Sequence, residues 1–469
     1  MMKDAIKNQL KNLVGDSNYF DSPEEKLVYS YDGTPLISQV PEAILKPRSA
    51  EEVSDILKLA NAEHFSVVPR GSGTGLSGGS VPVKDSVVLL FNHWKQILEI
   101  DSDNMTAWVQ PGVITADLHQ SVEKLGLFYP PDPGSQNICT IGGNVAENAG
   151  GLRGLKYGVT KNYIMGIEMV LPNGELIVNG GKNVKDVAGY NLRDLVVGSE
   201  GTLGIFTKIL VRLIPKPETT RTLVAYFNKM TDAAETVSEI IANHIIPCTV
   251  EFLDKTTIQA VEQNAHLGLP GDIGALLLLE VDGHSQVVRE EAEQVEKICL
   301  RKGAREVKVA STEAEALKLK TARRAAFASL ARIRPTTILE DATVPRSNLA
   351  SLVEKIDQIS RKYNLTIGNF GHAGDGNLHP TCLTDERDKD EIARVEKAFT
   401  EIYSETIKLG GTITGEHDVG LAKRGFLEDM IQVPALEAMR KIKSAWDPNQ
   451  VLNPGKIISH TPKCEGKLV

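Results

Sequence analysis

The stretch Pro69-Arg70-Gly71-Ser72-Gly73-Thr74-Gly75-Leu76-Ser77-Gly78-Gly79-Ser80 places five glycines in the nine positions from 71 to 79. It follows a run that reads as a strand, Ser66-Val67-Val68, and precedes another, Val87-Val88-Leu89-Leu90-Phe91. Gly73, Gly75 and Gly78 spell GxGxxG, but Val81-Pro82-Val83-Lys84-Asp85 comes next, where a dinucleotide-binding fold needs a helix. The loop is therefore expected between two strands. Backbone N–H groups at this density form a nest for a diphosphate, with the Ser72, Thr74 and Ser77 hydroxyls as further donors. A flexible linker is the competing reading, and the buried-looking strands on both sides weigh against it.

Working outward, Thr140-Ile141-Gly142-Gly143-Asn144-Val145-Ala146-Glu147-Asn148-Ala149-Gly150-Gly151 is a second glycine-rich loop. Gly198-Ser199-Glu200-Gly201-Thr202-Leu203-Gly204 is a third, running into a strand from Ile205 to Leu213. A mononucleotide needs one such loop, so three imply a long ligand held at several points. Upstream, Ser22-Pro23-Glu24-Glu25 and Ser49-Ala50-Glu51-Glu52 each read as a helix N-cap. Pro215-Lys216-Pro217-Glu218 is a stiff linker and the expected domain boundary. Beyond it, strands alternate with longer helices, the pattern of a sheet with helices on one face.

In this second part, His372 and His379 flank Ala373-Gly374-Asp375-Gly376-Asn377-Leu378. If Gly374 to Asn377 form a four-residue hairpin loop, the two histidines stand opposite each other with Cβ atoms ~5 Å apart. Imidazoles that close can share one divalent ion. Gly415-Glu416-His417-Asp418-Val419-Gly420 offers Glu416 as a third ligand and leaves His417 as a base. Hydrogen-bonded turn histidines are the alternative.

With 469 residues, 41% of them hydrophobic and 24% charged, the chain has the composition of an ordinary soluble enzyme of two or three lobes. A net charge of -9 argues against nucleic acid or an anionic membrane as the main partner. No apolar run approaches the ~20 residues of a transmembrane helix, and no signal peptide is evident, so a cytoplasmic or membrane-peripheral protein is expected. The five cysteines (Cys139, Cys248, Cys299, Cys382, Cys464) form no CxxC pair, so no iron–sulfur cluster or zinc ribbon is suggested.

The three glycine-rich segments together resemble the FAD-binding lobe of flavoproteins of the vanillyl-alcohol-oxidase type. His372-Ala373-Gly374-Asp375-Gly376-Asn377-Leu378-His379, Gly415-Glu416-His417 and Asn453-Pro454-Gly455-Lys456 resemble its 2-hydroxyacid branch. That branch includes D-lactate dehydrogenases, the large subunit of glycolate oxidase and D-2-hydroxyglutarate dehydrogenase, and the resemblance runs from about Pro41 to Lys456. It implies an α+β, two-lobed flavoprotein: an N-terminal helical extension (1–36), an FAD-binding domain of PCMH type (37–215), a substrate or cap domain with an antiparallel sheet and a metal site (216–440), and a tail returning to the flavin (441–469).

The resemblance further implies FAD contacts from Arg70, Gly71, Ser72, Gly73, Thr74, Gly75, Ser77, Gly78, Pro131, Asp132, Thr140, Gly142, Gly143, Gly151, Glu200, Gly201, Ile205 and Asn453. Many relatives tether the flavin through a histidine in the first loop; residues 69 to 82 contain none, so FAD is expected to be non-covalent. His372, His379 and Glu416 would hold zinc or iron(II), and His417 would be the catalytic base. Arg324, with Arg323 as its neighbouring alternative, would take the substrate carboxylate; solvated helix charges are the competing reading of both.

The implied activity is oxidation of a D-2-hydroxy acid, foremost D-lactate to pyruvate. Glycolate and D-2-hydroxyglutarate are the alternatives, and a transferase like alkylglycerone-phosphate synthase is the rival class. Electrons would leave to an electron-transfer flavoprotein, the favoured acceptor, or to an iron–sulfur subunit, a quinone or oxygen, in an oligomer or hetero-complex.

Overall fold

The computed structural model describes residues 2–458, so Cys464 and the end of the expected tail lie outside the described residues. The chain divides into two compact units. One holds everything up to Ala149, Val159–Lys216 and the chain from Glu416 onward; the other holds Gly150–Gly158 and Pro217–Gly415. The break at Lys216 falls inside the Pro-Lys-Pro linker. The return to the first unit comes at Glu416, whereas the sequence suggested 441. The N-terminal helix Asp4–Val14 is no separate extension in this division, because Ile6, Leu10 and Val14 are buried in the first unit's core with Val53, Ile56 and Leu57.

The first unit carries two sheets. In the smaller one, Ala43–Leu45, Ser86–Leu90 and Ser66–Arg70 run parallel, with Tyr19–Phe20 on the outer edge. Its central strand, Ser-Val-Val-Leu-Leu, is buried along its whole length, as parallel strands covered on both faces are. The helix Ala50–Glu63 covers one face. It starts where the Ser49 side chain accepts from the Glu52 N–H, buries Val53, Ile56, Leu57 and Ala60 along one stripe, and stops at His64 in a left-handed conformation. The other sheet is antiparallel, in the order Ile97–Asp101, Thr106–Val109, Ile205–Arg212, Ile164–Val170, Leu176–Gly180.

The closing segment is pinned from inside. Lys443 Nζ donates to Asp447 and to the carbonyls of Thr202 and Leu452, and the Asp447 carboxylate accepts from the Val451 and Leu452 N–H groups. Both ends of this ion pair are buried, and the carbonyls and N–H groups around it supply the partners a buried charge needs. The segment then bridges to the small sheet at Val67 and delivers Asn453.

The second unit is built on one antiparallel sheet. Its strands lie in the order Ala304–Val309, Thr219–Phe227, Ala275–Gly283, Thr249–Asp254, Thr366–His372, Asn377–Thr384, Thr336–Leu339, with the short Ala342–Thr343 also on Asn377–Thr384. Helices are amphipathic against it: Leu349–Lys362 buries Leu349, Leu352, Val353, Ile356 and Ile359, and Lys389–Lys408 buries Ile392, Val395, Phe399 and Ile402. The expected α+β architecture with an antiparallel second sheet is what forms. Among the described residues, no helix is long and apolar enough to cross a membrane.

Candidate functional site

In the first unit the three glycine-rich segments come together. The first connects the parallel strands Ser66–Arg70 and Ser86–Leu90 without a helix, as its sequence requires. At Gly73, φ is +70°, a conformation that favours glycine, and the Arg70 guanidinium packs where a Cβ would stand. Burial lowers the Arg70 pKa. The second segment is not all loop: Ile141–Ala146 is a short helix, and Thr140 caps it by accepting from the Gly143 N–H. The two segments abut, since a Cβ on Gly71 would fall 2.3 Å from Thr140 Oγ1. The third hangs from the end of that helix through Gly198 N–H to the Val145 carbonyl (2.9 Å) and Glu200 N–H to the Ala146 carbonyl (2.8 Å). Asn453 ties first to third: its Nδ2 donates to the Gly79 carbonyl at 3.0 Å and the Glu200 carbonyl at 2.6 Å.

Buried polar atoms face this convergence. Ser77 Oγ and Asn453 Oδ1 are buried and have no hydrogen-bond partner within the protein. Such atoms suit a polar cofactor, and their setting among close-packed glycine backbone fits FAD. Pro131 and Asp132 are buried as well, with the Pro131 carbonyl 2.9 Å from His119 Nε2, and Ile205 opens its strand buried. Gly151 belongs to the second unit.

Within the first unit the Glu416–Gly420 segment is held by Glu200, whose Oε1 accepts from the Val419 and Gly420 N–H groups at 3.0 and 2.8 Å. Burial, then the Glu200 and Glu147 charges, push the Asp418 carboxyl up, and Asp418 sits at φ +62°. Burial, then repulsion from Glu200, raises Glu147 in the same way, while burial lowers Lys456 to about 8. His417 Nε2 lies 3.6 Å from Glu416 Oε1, and both side chains are largely buried.

In the second unit the histidine hairpin departs from the expected register. His372 pairs with Asn377 and His379 with Phe370, because the turn runs from Ala373 to Gly376. Gly376 (φ +84°) sets that turn: a Cβ there would lie 2.1 Å from the Val344 carbonyl. The two histidines are therefore diagonal neighbours on one face, not directly opposed. Diagonal Cβ atoms stand further apart, but long side chains span the gap, and the ring centroids are 5.1 Å apart.

Each imidazole has a carboxylate on its Nδ1 side. His372 Nδ1 lies 2.6 Å from Glu251 Oε1, and His379 Nδ1 lies 3.6 Å from Asp341 Oδ1. Glu251 also binds Arg323 Nε, and that guanidinium lies over the Phe370 ring, 4.8 Å from its centroid. Burial alone would raise the Glu251 carboxyl; the charges of His372 and Arg323 outweigh it and hold the carboxyl below its ordinary value. Asp341 Oδ2 accepts from Thr414 Oγ1 and the Gly415 N–H, at 2.8 and 2.7 Å. The sequence drew attention to Arg324, which is exposed at the end of the helix Glu313–Arg324; its neighbour Arg323 makes these contacts. Glu251 and Asp341 were not foreseen. The available signal was a carboxylate inside the apolar Thr249-Val250-Glu251-Phe252-Leu253 strand, where a buried charge demands a partner.

Two family models match the chain: "FAD binding domain" over residues 41–180 and "FAD linked oxidases, C-terminal domain" over 216–457. The chain is 54% identical to the glycolate oxidase subunit GlcD of Bacillus subtilis, across 98% of both chains. It is 37% identical to a D-lactate dehydrogenase of Anaerostipes hadrus, across 89% of both. Among solved structures, p-cresol methylhydroxylase with substrate bound superposes with a TM-score of 0.80 at 18% identity, over 97% of this chain and 96% of that one, a likeness of fold.

Proposed function

Because the chain belongs to the FAD-linked oxidases, as an FAD-linked oxidoreductase of the glycolate oxidase and D-lactate dehydrogenase type, we propose that it oxidises a short D-2-hydroxy acid with the help of a divalent metal ion. The observation that supports the metal is the pair of imidazoles on one face of the second unit's sheet, with Glu251 hydrogen-bonded to His372 Nδ1 and Asp341 3.6 Å from His379 Nδ1. The Glu251 hydrogen bond at Nδ1 leaves Nε2 as the metal-facing nitrogen of His372, as in carboxylate–histidine–metal sites. Two imidazoles with one carboxylate are a donor set that zinc and iron(II) accept. His372, His379 and Glu416 are the proposed ligands.

FAD supplies the acceptor for the two electrons and the hydrogen that leave Cα. A divalent ion supplies positive charge that lowers the pKa of a nearby hydroxyl. The remaining work falls to side chains. His417 takes the hydroxyl proton. The substrate carboxylate goes to an arginine, whose planar fork accepts it bidentately and fixes which face of Cα is presented. Arg323 suits that role better than Arg324, because Glu251 and Phe370 already orient its guanidinium. The product of D-lactate is pyruvate, with two electrons and two protons released.

D-lactate is the first substrate candidate, and the GlcD likeness favours glycolate, which lacks only the methyl group, as the second. The four described cysteines are buried and scattered, so electrons are proposed to pass to an electron-transfer flavoprotein or an iron–sulfur subunit of a hetero-complex. Anaerobic mixing of the FAD-loaded protein with D-lactate, L-lactate, glycolate and D-2-hydroxyglutarate tests the assignment. Flavin bleaching is expected with D-lactate or glycolate and not with L-lactate. Bleaching by none of the four would remove the 2-hydroxyacid reading and leave a non-redox transferase of the same fold.

A further inference from the structure

Resting on the metal assignment above, we propose that Glu251 is a positioning residue that joins the metal-binding histidines to the substrate-binding arginine. A single carboxylate does both jobs. Its Oε1 meets His372 Nδ1 at 2.6 Å and its Oε2 accepts from Arg323 Nε. It is fully buried on the strand beside His372, in register with it, so neither partner reaches it through water. Phe370 completes the arrangement: it carries the guanidinium over its ring and sets its edge against His379, with centroids 5.5 Å apart.

The consequence is a coupling. The Oε1 contact fixes the His372 ring angle and keeps the proton on Nδ1. The Oε2 contact engages the guanidinium through Nε, so its two terminal nitrogens project beyond the carboxylate. An anion bound by those nitrogens is thereby placed with respect to the histidine pair. Removing Glu251 is expected to weaken metal and hydroxy acid together, whereas removing Arg323 is expected to weaken only the hydroxy acid.

The experiment measures Zn2+ affinity by chelator competition, and KM for the reducing hydroxy acid, on FAD-loaded wild type, Glu251→Gln, Arg323→Met and His372→Ala. Glu251→Gln is expected to bind Zn2+ about 10- to 100-fold more weakly, the usual effect of losing such a partner, and to show a raised KM at unchanged flavin content. Arg323→Met is expected to keep Zn2+ affinity and raise KM. Wild-type Zn2+ affinity in Glu251→Gln, with loss in His372→Ala, would overturn the role of Glu251 alone. Equal Zn2+ binding by wild type and His372→Ala would overturn the metal assignment beneath it. Histidine tautomers in 15N-labelled, Zn2+-loaded wild type read the same contact without a variant. His372 is expected as the Nδ1–H form, and metal on its Nδ1 would refute the proposal even if Glu251→Gln fails to fold.

Discussion

His372→Ala and His379→Ala are each expected to lose bound metal and to slow flavin reduction by the hydroxy acid at least about 10³-fold, with FAD content unchanged. The size follows from the chemistry the ion supplies. Lewis-acid stabilisation of a developing alkoxide amounts to several kcal/mol, and each ~1.4 kcal/mol is tenfold in rate. Retention of FAD follows from the division of labour. The glycine segments as far as Ala149, Asn453, the orphaned Ser77 hydroxyl and Glu200 belong to the first unit, while both histidines belong to the second. Metal analysis together with anaerobic stopped-flow reduction checks the two halves separately. A variant that keeps its metal, or one that loses metal yet reduces flavin at the wild-type rate, would refute the ligand assignment.

His417→Ala is expected to leave both FAD and metal in place and to lower the rate of flavin reduction by about 10²- to 10⁴-fold, the range of a positioned general base. The segment around it is held by Glu200 through the Val419 and Gly420 N–H groups, contacts the substitution does not touch. The backbone should therefore keep its path, and the loss should be chemical. A base whose only task is to remove a proton leaves a further signature: the variant's residual rate should rise with pH as hydroxide takes over. Turnover at the wild-type rate in His417→Ala would exclude it as the base.

These expectations rest on a site of which the sequence disclosed the local parts. That Gly73-Thr74-Gly75 joins strands was readable because Pro82, two residues past the end of the segment, stands where a dinucleotide fold continues its helix. Convergence of the three segments was readable only as an inference from their number; contacts such as Gly71 against Thr140 join residues far apart in the chain. The histidine pair was legible in composition and misjudged in register. One residue decides the pairing, and the Val344 carbonyl that crowds Gly376 is not evident from the loop itself. Glu251 was out of reach for a like reason. Its partners lie 72 and 121 residues away, and a lone carboxylate in a strand ordinarily reads as its outward face. This strand lies inside the sheet with both faces covered, so an outward position does not exist for it.

The most direct test of a metal ion on the histidine pair serving flavin reduction is one anaerobic measurement on the intact, FAD-loaded protein. D-lactate and glycolate are mixed with it before chelation, after exhaustive chelation, and after Zn2+ or Fe2+ is restored. Bleaching that disappears with the metal and returns with it, at constant flavin content, is the predicted result. Bleaching at full speed in metal-free protein would contradict it.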